Sequence, residues 1–394
     1  MKKPKKNYWE ERSRMSNIPK LRFPEFSGEW EKSELGKFTQ EITRVNSNSD
    51  APIMMISAAN GFILQSNKYS KEMTGQSLKK YIELHAGEFA YNHGASKLKK
   101  YGACFCLDLD KARIPFVYHC FKLTEGNTKF FSYLLNRTQL DSELARYISS
   151  SARMDGLLNI SYTDYMKINI SVPTLAEQQK IADFLSNVDS IITTETKILK
   201  NLQKKKKALM QKLFTQQLRF KFADGTDFPA WEEKKLGECV ISISSGKNKK
   251  KNSAGNFPVY GSMGIIGYSE QYVYNKDCIL VARVGANAGT LHIAKGKYDV
   301  SDNTLIIELN ENELLSFYYF LLVNINLNKL NYGTGQPLVT SGMLKNIDIQ
   351  IPCKAEQQKI ADCLSSLDSL IQTQQKVVTT WQQRKKALLQ QMFV

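Results

Sequence analysis

The chain has 394 residues, 42% of them hydrophobic, and a formal net charge of +16. This length predicts two or three domains, and the apolar content excludes a disordered chain. A globular chain this basic is usually held near a polyanion, either nucleic acid or an anionic membrane surface. No apolar run approaches the roughly 20 residues that a membrane-spanning helix needs. The composition therefore favours nucleic acid as the partner.

The lysine-rich start, residues 1–17, lacks the apolar core of a signal peptide and is expected to be a flexible leader. Met15 is an alternative start, which would leave residues 1–14 outside the native product. Seven cysteines, an odd number spread over a long chain, do not predict a disulfide framework. We therefore expect a reduced, cytoplasmic protein.

The first variable middle, residues 38–170, mixes short β-rich runs with Gly, Asn and Ser turns. Its pattern predicts a buried strand at 103–109, an amphipathic helix over 130–148 and a strand in INISVP at 168–173. These elements predict an α+β globule.

Basic residues in this middle alternate with aromatic and amide side chains. Lysines in loops suit phosphates, whereas Arg, Asn and Gln can bond to base edges in the major groove. A solvated surface group is about as good an interpretation of any single one of them. The candidate DNA contacts are Lys68, Lys71, Lys79, Lys80, Tyr91, Asn92, Lys97, Lys99, Lys100, Tyr101 and Arg153.

Residues 176–214 contain neither Pro nor Gly and are rich in Ala, Leu, Gln and Lys, which predicts one long helix. Thr174 and Glu177 have the spacing of a capping box at its start. Starting from AEQQKIAD at 176, the same segment returns 179 residues later, and 22 of 39 positions are identical. Such agreement marks an internal duplication.

Apolar residues follow a 3-4 spacing in both helices, which predicts a coiled-coil seam. Glu195 and Gln374 interrupt it at equivalent places, and so do Lys205 and Arg384. Shared polar positions favour two helices that pack on each other, antiparallel within one chain, over separate hairpins or an oligomerisation stalk. The predicted seam is Ile181, Phe184, Val188, Ile191, Ile198, Leu202 and Leu209, followed by Ile360, Cys363, Leu367, Leu370, Val377, Trp381 and Leu388.

The openings of the two halves also match. LRFPEFSGEWEKSELGKF begins at Leu21, and LRFKFADGTDFPAWEEKKLGEC begins at Leu218, so Trp30 aligns with Trp231. The middles differ in length and share almost no sequence. The ends are therefore expected to do one job twice, and the middles to recognise two different things.

The second middle, residues 239–350, again predicts an α+β globule. We expect a hairpin or strand pair at 271–284, a helix at 313–327 and a strand in IDIQIP at 347–352. Glycines in RVGANAGT and NYGTGQPLVT allow close approach of the backbone to a ligand. The candidate DNA contacts are Lys247, Lys249, Lys250, Lys251, Tyr260, Ser262, Tyr268, Arg283, Asn287, Tyr332 and Gln336.

Catalytic signatures are missing from the sequence. It has no phosphate-binding GxxxxGK[ST] loop, no Pro-Pro pair of the kind in amino-methyltransferase motifs and no metal-dependent nuclease motif. Cys104 and Cys106, with His119 and Cys120, come nearest to a zinc set, but buried inert cysteines are the more common outcome. We therefore expect no enzyme, no metal and no cofactor in this chain.

The chain resembles the specificity (S) subunit of type I restriction–modification enzymes. The resemblance covers nearly all of it and rests on the two EQQKIA helix entries, the seams behind them, the FPxF…W…LG openings and GTGQPLVTSGMLKNIDIQIP at 333–352. It implies two target-recognition domains, at 18–172 and 217–351, with coiled-coil helices at 173–216 and 352–394. The expected fold is α+β, with a pseudo-two-fold repeat and the recognition domains separated by an antiparallel two-helix coiled coil.

The resemblance also implies partners. Each domain would read half of a bipartite, asymmetric double-stranded DNA target, and a helix of roughly 58 Å would set the spacing. Two methyltransferase subunits would supply S-adenosylmethionine, and restriction subunits would supply ATP- and Mg-dependent chemistry. The expected docking and coiled-coil residues are Glu177, Gln178, Gln179, Ile181, Phe184, Val188, Ile191, Ile198, Leu202, Glu356, Gln357, Gln358, Ile360, Leu367, Leu370, Val377 and Trp381.

Two other functions remain open on the sequence alone. A self-contained modification enzyme would transfer methyl groups without a partner protein. A coiled-coil scaffold with an incidental basic surface would bind DNA without sequence preference. Footprinting distinguishes a scaffold from a recognition subunit, because a recognition subunit protects two short blocks of DNA separated by a fixed gap.

Overall fold

The computed structural model describes residues 17–68, 76–148, 158–248, 255–330 and 337–394. They form two compact units. Unit 1 comprises the described residues up to Thr194 together with Val378–Val394, and unit 2 is Glu195–Val377. Each unit is described by itself.

Unit 1 is built mainly from short strands. They are β1 (Glu31–Glu34), β2 (Thr39–Glu41), β3 (Met54–Ser57), β4 (Gly61–Leu64), β5 (Ile82–His85), β6 (Phe89–Asn92), β7 (Ala103–Cys106), β8 (Lys111–Ile114), β9 (His119–Leu123) and β10 (Asn169–Val172). Its short helices are α1 (Thr128–Leu134), α2 (Asp141–Tyr147) and α3 (Tyr162–Met166). The first long helix, α4 (Leu175–Phe214), begins in this unit.

Unit 2 has the same kind of composition. Its strands are β11 (Glu232–Lys235), β12 (Val240–Ser245), β13 (Phe257–Gly261), β14 (Gly264–Ser269), β15 (Tyr274–Asn275), β16 (Cys278–Ala282), β17 (Leu291–Ala294), β18 (Lys297–Val300), β19 (Thr304–Leu309) and β20 (Asp348–Ile351). Its short helices are α5 (Leu315–Ile325) and α6 (Ser341–Lys345), and the second long helix is α7 (Lys354–Gln391).

The two middles share a sheet topology that their sequences do not show. In unit 1 a four-stranded antiparallel sheet has the order β2-β9-β6-β7, and in unit 2 the equivalent order is β12-β19-β16-β17. The strand after the opening segment pairs with the strand before the long helix in both units, β1 with β10 and β11 with β20. Additional strands differ: β3-β4 and β5-β8 in unit 1, and the mixed sheet β14-β13-β18-β15 in unit 2. The duplication therefore includes the middles.

Aromatic residues fill the core of unit 1. Phe89 and Phe121 are fully buried and stack across neighbouring strands, with ring centroids 5.3 Å apart. Phe130 and Phe131 of α1 are also fully buried in this core. Burying such a side chain contributes about 1.5–3 kcal/mol, so α1 is held by tertiary packing, since seven residues are too few for a stable isolated helix.

The long helices pair in antiparallel fashion within each unit. In unit 1, Asp189 of α4 bonds to Lys385 of α7 at 2.5 Å. In unit 2, the repeat-equivalent Lys206 and Asp368 are also 2.5 Å apart. The amide of Gln374 donates to the carboxylate of Glu195 at 2.5 Å, which confirms that these two polar seam positions meet.

The seam itself follows a heptad, but some predicted members are wrong. Phe184, Ile198 and Leu370 are exposed by 37%, 41% and 55%, whereas Leu185 and Leu199 are buried. Each of these three exposed residues is followed directly by another apolar residue, so the spacing alone did not show which of the two faces the partner helix. Lys205 and Arg384, the other predicted polar seam positions, are also exposed. The lysines one residue later, Lys206 and Lys385, form the ion pairs between the helices instead.

Two further predictions about local structure need correction. The expected hairpin at 271–284 does not form, because β15 pairs with β18 while β16 pairs with β17 and β19 in another sheet. The expected helix over 130–148 is interrupted and becomes α1 and α2. The buried strand at 103–109, the helix within 313–327 and the strands before both long helices are confirmed.

Candidate nucleic-acid interface

A buried glutamate joins the opening segment of unit 1 to the start of α4. Glu177 is 1% exposed and receives two hydrogen bonds from Arg22, at 2.8 and 2.7 Å. Trp30 donates its indole N–H to the same carboxylate at 3.3 Å. The expected capping box is therefore only half formed: the Glu177 N–H lies 3.4 Å from the Thr174 hydroxyl, while its side chain serves the opening segment.

Unit 2 repeats this anchor. Arg219 donates to Glu356 at 3.1 and 2.7 Å, and Trp231 donates to it at 3.1 Å. The carboxylate of Glu356 is fully buried. A buried charge needs pairing and hydrogen bonds, which explains why an arginine and a tryptophan recur in the opening segment ahead of each EQQ motif.

The glutamine after each of these glutamates also forms a hydrogen bond within its own unit. Gln178 donates to the carbonyl of Pro173 at 2.9 Å, and Gln357 donates to that of Pro352 at 3.0 Å. These side chains, like the two anchoring glutamates, are buried and engaged. This corrects the expectation that they dock a partner: they hold the chain at the entry of each long helix.

One end of unit 1 collects several of the predicted DNA contacts. Lys97 and Lys100 are exposed in the loop between β6 and β7, and the ammonium of Lys100 lies 5.2 Å from the centre of the Tyr101 ring. Gly102 closes that loop with a φ of +83°, and a Cβ there would lie 2.5 Å from the carbonyl oxygen of Asn92. The loop therefore requires glycine at this position.

A second basic segment lies beside the start of β9. Lys79 and Lys80 are exposed on a 3-10 helix at Gln76–Lys80, and the Lys80 ammonium is 5.9 Å from the centre of the Phe116 ring. The turn carrying Phe116 leads into β9, whose first residues pair with the end of β6. The structure thus brings the lysines of two separate segments to one end of the sheet.

Other members of the first set have structural roles. Tyr91 is 2% exposed, stacks on Tyr165 at 4.0 Å and donates to the carbonyl of Tyr101 at 2.6 Å, which corrects its prediction as a DNA contact. Asn92 is half-buried and its amide donates to the Ile56 carbonyl at 3.3 Å.

Lys99 is half-buried, and its ammonium donates to the carbonyl of Asn136. Burial lowers the pKa of Lys99, and the carboxylate of Asp141 opposes that shift. Lys68 is exposed at the far end of the 3-10 turn after β4.

The equivalent end of unit 2 carries Arg283 and Asn287. Both are half-buried in the loop between β16 and β17. Arg283 receives a backbone hydrogen bond from Val339 at 2.8 Å, and its guanidinium has no partner among the described residues. Gly285 has a φ of +78° and donates its N–H to Pro337 at 3.1 Å. The backbone therefore holds Arg283 in place, and its charged group has no partner among the residues that the structure describes.

The remaining described members of the second set are Tyr260, Ser262, Tyr268 and Lys247. Tyr260 accepts a backbone hydrogen bond from Ser301 at 2.8 Å and is half-buried, as is Ser262 in the following turn. Tyr268 and Lys247 are exposed. Seven predicted contacts lie outside the described residues: Lys71, Arg153, Lys249, Lys250, Lys251, Tyr332 and Gln336.

The long helices of unit 1 leave an apolar groove beside their seam. Phe184, Val188, Ile191, Trp381 and Leu388 line a cavity of about 390 Å³. Of the predicted docking residues, Gln179 and Gln358 are exposed, and each bonds to an aspartate one turn later at 2.8 Å.

Within the part of the chain that the structure describes, no group of three His, Cys, Asp or Glu side chains is placed to hold a metal ion. Burial raises the pKa of Cys104 and of Cys106 to about 12, so both remain thiols.

The described helices include none that is long and apolar enough to cross a membrane. Sequence reasoning missed His93. Both of its ring nitrogens lie within hydrogen-bond distance of backbone carbonyl oxygens in unit 1, and no spacing pattern in the sequence indicated this.

The structure has two similar modules with basic loop ends, each followed by a long helix with the same anchor, an arrangement suited to nucleic-acid recognition. A family model described as "Type I restriction modification DNA specificity domain" matches the chain twice, at residues 29–204 and 230–380. The chain therefore belongs to the family of type I restriction–modification DNA specificity domains.

Known proteins agree with this assignment. The type I restriction enzyme MjaVIII specificity subunit of Methanocaldococcus jannaschii is 28% identical over 62% of this chain, and the match spans 65% of that subunit. The putative MjaX specificity subunit of the same organism is 28% identical over 66% of this chain and 66% of its own length. The chain thus spans about two thirds of the length of these relatives.

A solved S subunit from M. genitalium has the same fold, with a TM-score of 0.61 and 16% identity over 96% of this chain and 99% of that one. A chain from a structural study of type I R-M complex assembly has a TM-score of 0.55 over 92% of this chain.

Proposed function

We propose that this chain reads a bipartite, asymmetric duplex DNA target, one half with each recognition domain. The domains are residues 18–172 and 217–351. The observation that carries this proposal is the shared sheet topology, which puts the β6–β7 loop and the β16–β17 loop at equivalent ends of two unlike modules. Two homologous loops with different side chains suit two different half-sites.

The paired helices are proposed to set the gap between the half-sites. An antiparallel pair with matched polar contacts has one register, because Glu195 meets Gln374 and each lysine meets its aspartate. A 40-residue helix is roughly 60 Å long, somewhat under two turns of duplex at about 34 Å per turn.

Methyltransferase subunits are the proposed partners of the helices, and restriction subunits would join that core in the cytoplasm. The apolar groove lined by Phe184 and Trp381 supports this part, because exposed apolar side chains on a charged helix pair favour a protein partner. The partners would bring S-adenosylmethionine, ATP and Mg²⁺, and the repeat would offer two equivalent docking places for two methyltransferase subunits.

Methylome sequencing of cells with and without this gene tests the proposal. The motif that loses methylation when the gene is deleted is expected to have two short defined blocks with a fixed gap. Footprinting of the chain with its methyltransferase partner on that duplex should then protect both blocks. Protection that ignores sequence would support a scaffold instead, and methyl transfer by the pure chain would show a modification enzyme.

A further inference from the structure

His93 follows β6 directly and is almost completely buried, with 4% of its surface exposed. Both ring nitrogens meet backbone carbonyl oxygens: Nδ1 lies 2.8 Å from that of Leu158, and Nε2 lies 2.9 Å from that of Val117. A carbonyl oxygen only accepts hydrogen bonds, so each nitrogen has to donate. A neutral imidazole has one N–H, and the imidazolium has two. Both hydrogen bonds can therefore form at once only when the ring carries two N–H groups.

The aromatic groups around this ring are neutral. Tyr91 on the same strand has its ring centre 6.4 Å from that of His93, and Tyr165 of α3 stacks on Tyr91. Burial raises the pKa of Tyr91 and of Tyr165 beyond any ordinary working range. Tyr162, also from α3, packs edge-on against His119, and burial raises its pKa to about 12.

His119 of β9 stacks on His93 with ring centres 5.0 Å apart. Burial lowers the pKa of His119, its bond to the Ile160 carbonyl opposes that shift, and the charge of His93 lowers it further. His119 therefore packs as a neutral ring. Carbonyl oxygens occupy both ring nitrogens of His93, and no carboxylate of the described residues bonds to either of them.

Unit 2 carries an arginine at the same place in the sheet. His93 follows β6, which lies between β9 and β7, and Arg283 follows β16, which lies between β19 and β17. The backbone bonds also correspond. The Leu158 N–H donates to the His93 carbonyl at 2.9 Å, and the Val339 N–H donates to the Arg283 carbonyl at 2.8 Å. Both units thus place a basic side chain where the inner strand leaves the sheet.

We propose that His93 is a positioning residue for DNA recognition by the first domain, an inference that rests on the proposed function. Its imidazolium ties the turn at Val117 and the segment at Leu158 to the base of the loop that carries Lys97 and Lys100. Loss of one proton would convert one hydrogen bond into a contact between two acceptors and loosen the loop. Binding to the first half-site therefore weakens as the pH rises, whereas Arg283 keeps its charge and the second half-site does not change.

The charge is tested first, without DNA. The full chain is labelled with ¹⁵N-histidine, and the ring nitrogens of its four histidines are observed by NMR, with His93 assigned by its loss in His93→Gln. At about pH 7.5, a unit above the value where an ordinary histidine is half protonated, both nitrogens of His93 should carry protons. His119, whose pKa is lowered by burial, should give a neutral pattern. A neutral pattern for His93 in the folded chain would overturn the inference, whatever the function.

The positioning role is then measured on the target duplex found by methylome sequencing, with the chain in complex with its methyltransferase partner. Two further duplexes each have one half-site scrambled. Between about pH 6 and about pH 9, the contribution of the first half-site should fall about tenfold, as expected for loss of a charged hydrogen bond. His93→Arg should abolish that pH dependence, and the second half-site should be unaffected.

The outcomes are distinguishable. A charged His93 with a first half-site that does not respond to pH, or that responds equally in His93→Arg, would overturn the positioning role alone. Equal pH dependence of both half-sites would also contradict it. Failure to discriminate any of the three duplexes at every pH would instead refute the proposed function.

Discussion

The two units agree contact for contact where their sequences agree and diverge where they do not. Arg22, Glu177 and Trp30 in unit 1 correspond to Arg219, Glu356 and Trp231 in unit 2, with similar distances. At the loop end, His93 and Arg283 share a position and a backbone hydrogen bond but differ in their side-chain contacts. The constant anchor orients each helix, and the sheet presents side chains that are free to differ. Duplication followed by divergence at one end is a simple way to read two half-sites with one fold.

The largest expected effect comes from lengthening the proposed ruler. One heptad is inserted after Glu195 in α4 and a matching heptad before Gln374 in α7, which keeps the seam in phase. Seven residues add roughly 10 Å, so the preferred gap should grow by about 3 base pairs at a pitch of roughly 34 Å per turn. Affinity for the original target should fall by about 10³-fold or more, towards non-specific binding.

Selection from a library of duplexes with varied gaps measures this change. Both half-sites should remain as they were. A changed half-site with an unchanged gap would contradict the ruler.

Removing the anchor of one unit should destabilise that unit and leave the stability of the other unchanged. Glu356→Ala removes the acceptor of the Trp231 N–H and the carboxylate partner of Arg219, whose guanidinium keeps only its bonds to backbone carbonyls. Breaking a buried ion pair costs about 3–5 kcal/mol, and about 2–3 kcal/mol is expected here because Arg219 is 26% exposed. Hydrogen exchange should show faster opening of unit 2 alone.

Glu177→Ala is the matched control and should open unit 1 instead. Glu356→Gln should lose less than the alanine variant, since its amide oxygen still accepts one bond. Equal opening of both units in either alanine variant would show that the anchors do not act locally.

Arg283→Ala tests the difference between the loop ends. If the guanidinium bonds to a base edge, its loss should cost about 1–3 kcal/mol at the second half-site and leave the first unchanged. Binding to duplexes with single base changes in each half measures this. Lys247→Ala is the comparison variant, and it should weaken all sequences alike, as a phosphate contact does. A uniform loss in Arg283→Ala would reassign this arginine to the backbone of the DNA.

The smallest effect is expected at the two helix ion pairs. Asp368→Ala removes the partner of Lys206, and since both side chains are partly exposed, the cost should be at most about 1 kcal/mol. Asp189→Ala should cost more than Asp368→Ala, because Asp189 also accepts a 2.7 Å hydrogen bond from Tyr133, worth about 0.5–1.5 kcal/mol. Urea denaturation measures both, and equal losses would show that the tyrosine bond adds nothing.

The sequence by itself determined the duplication, the long helices and their polar meeting point. These features depend on local periodicity and on identity between repeats, which can be seen without a structure. The strands before each long helix follow from the same local patterns. Matching ends and unlike middles were also sufficient to assign the chain to its family.

Tertiary structure alone decided what lies between those ends. Tyr91 looked like a surface contact until packing placed it in the core, and Phe184 could be distinguished from Leu185 only by the partner helix. The equivalence of His93 and Arg283 depends on strand order, which no alignment of the two middles reveals. Non-local pairing brings these residues to one sheet end, and side-chain periodicity contains no information about which strands become neighbours.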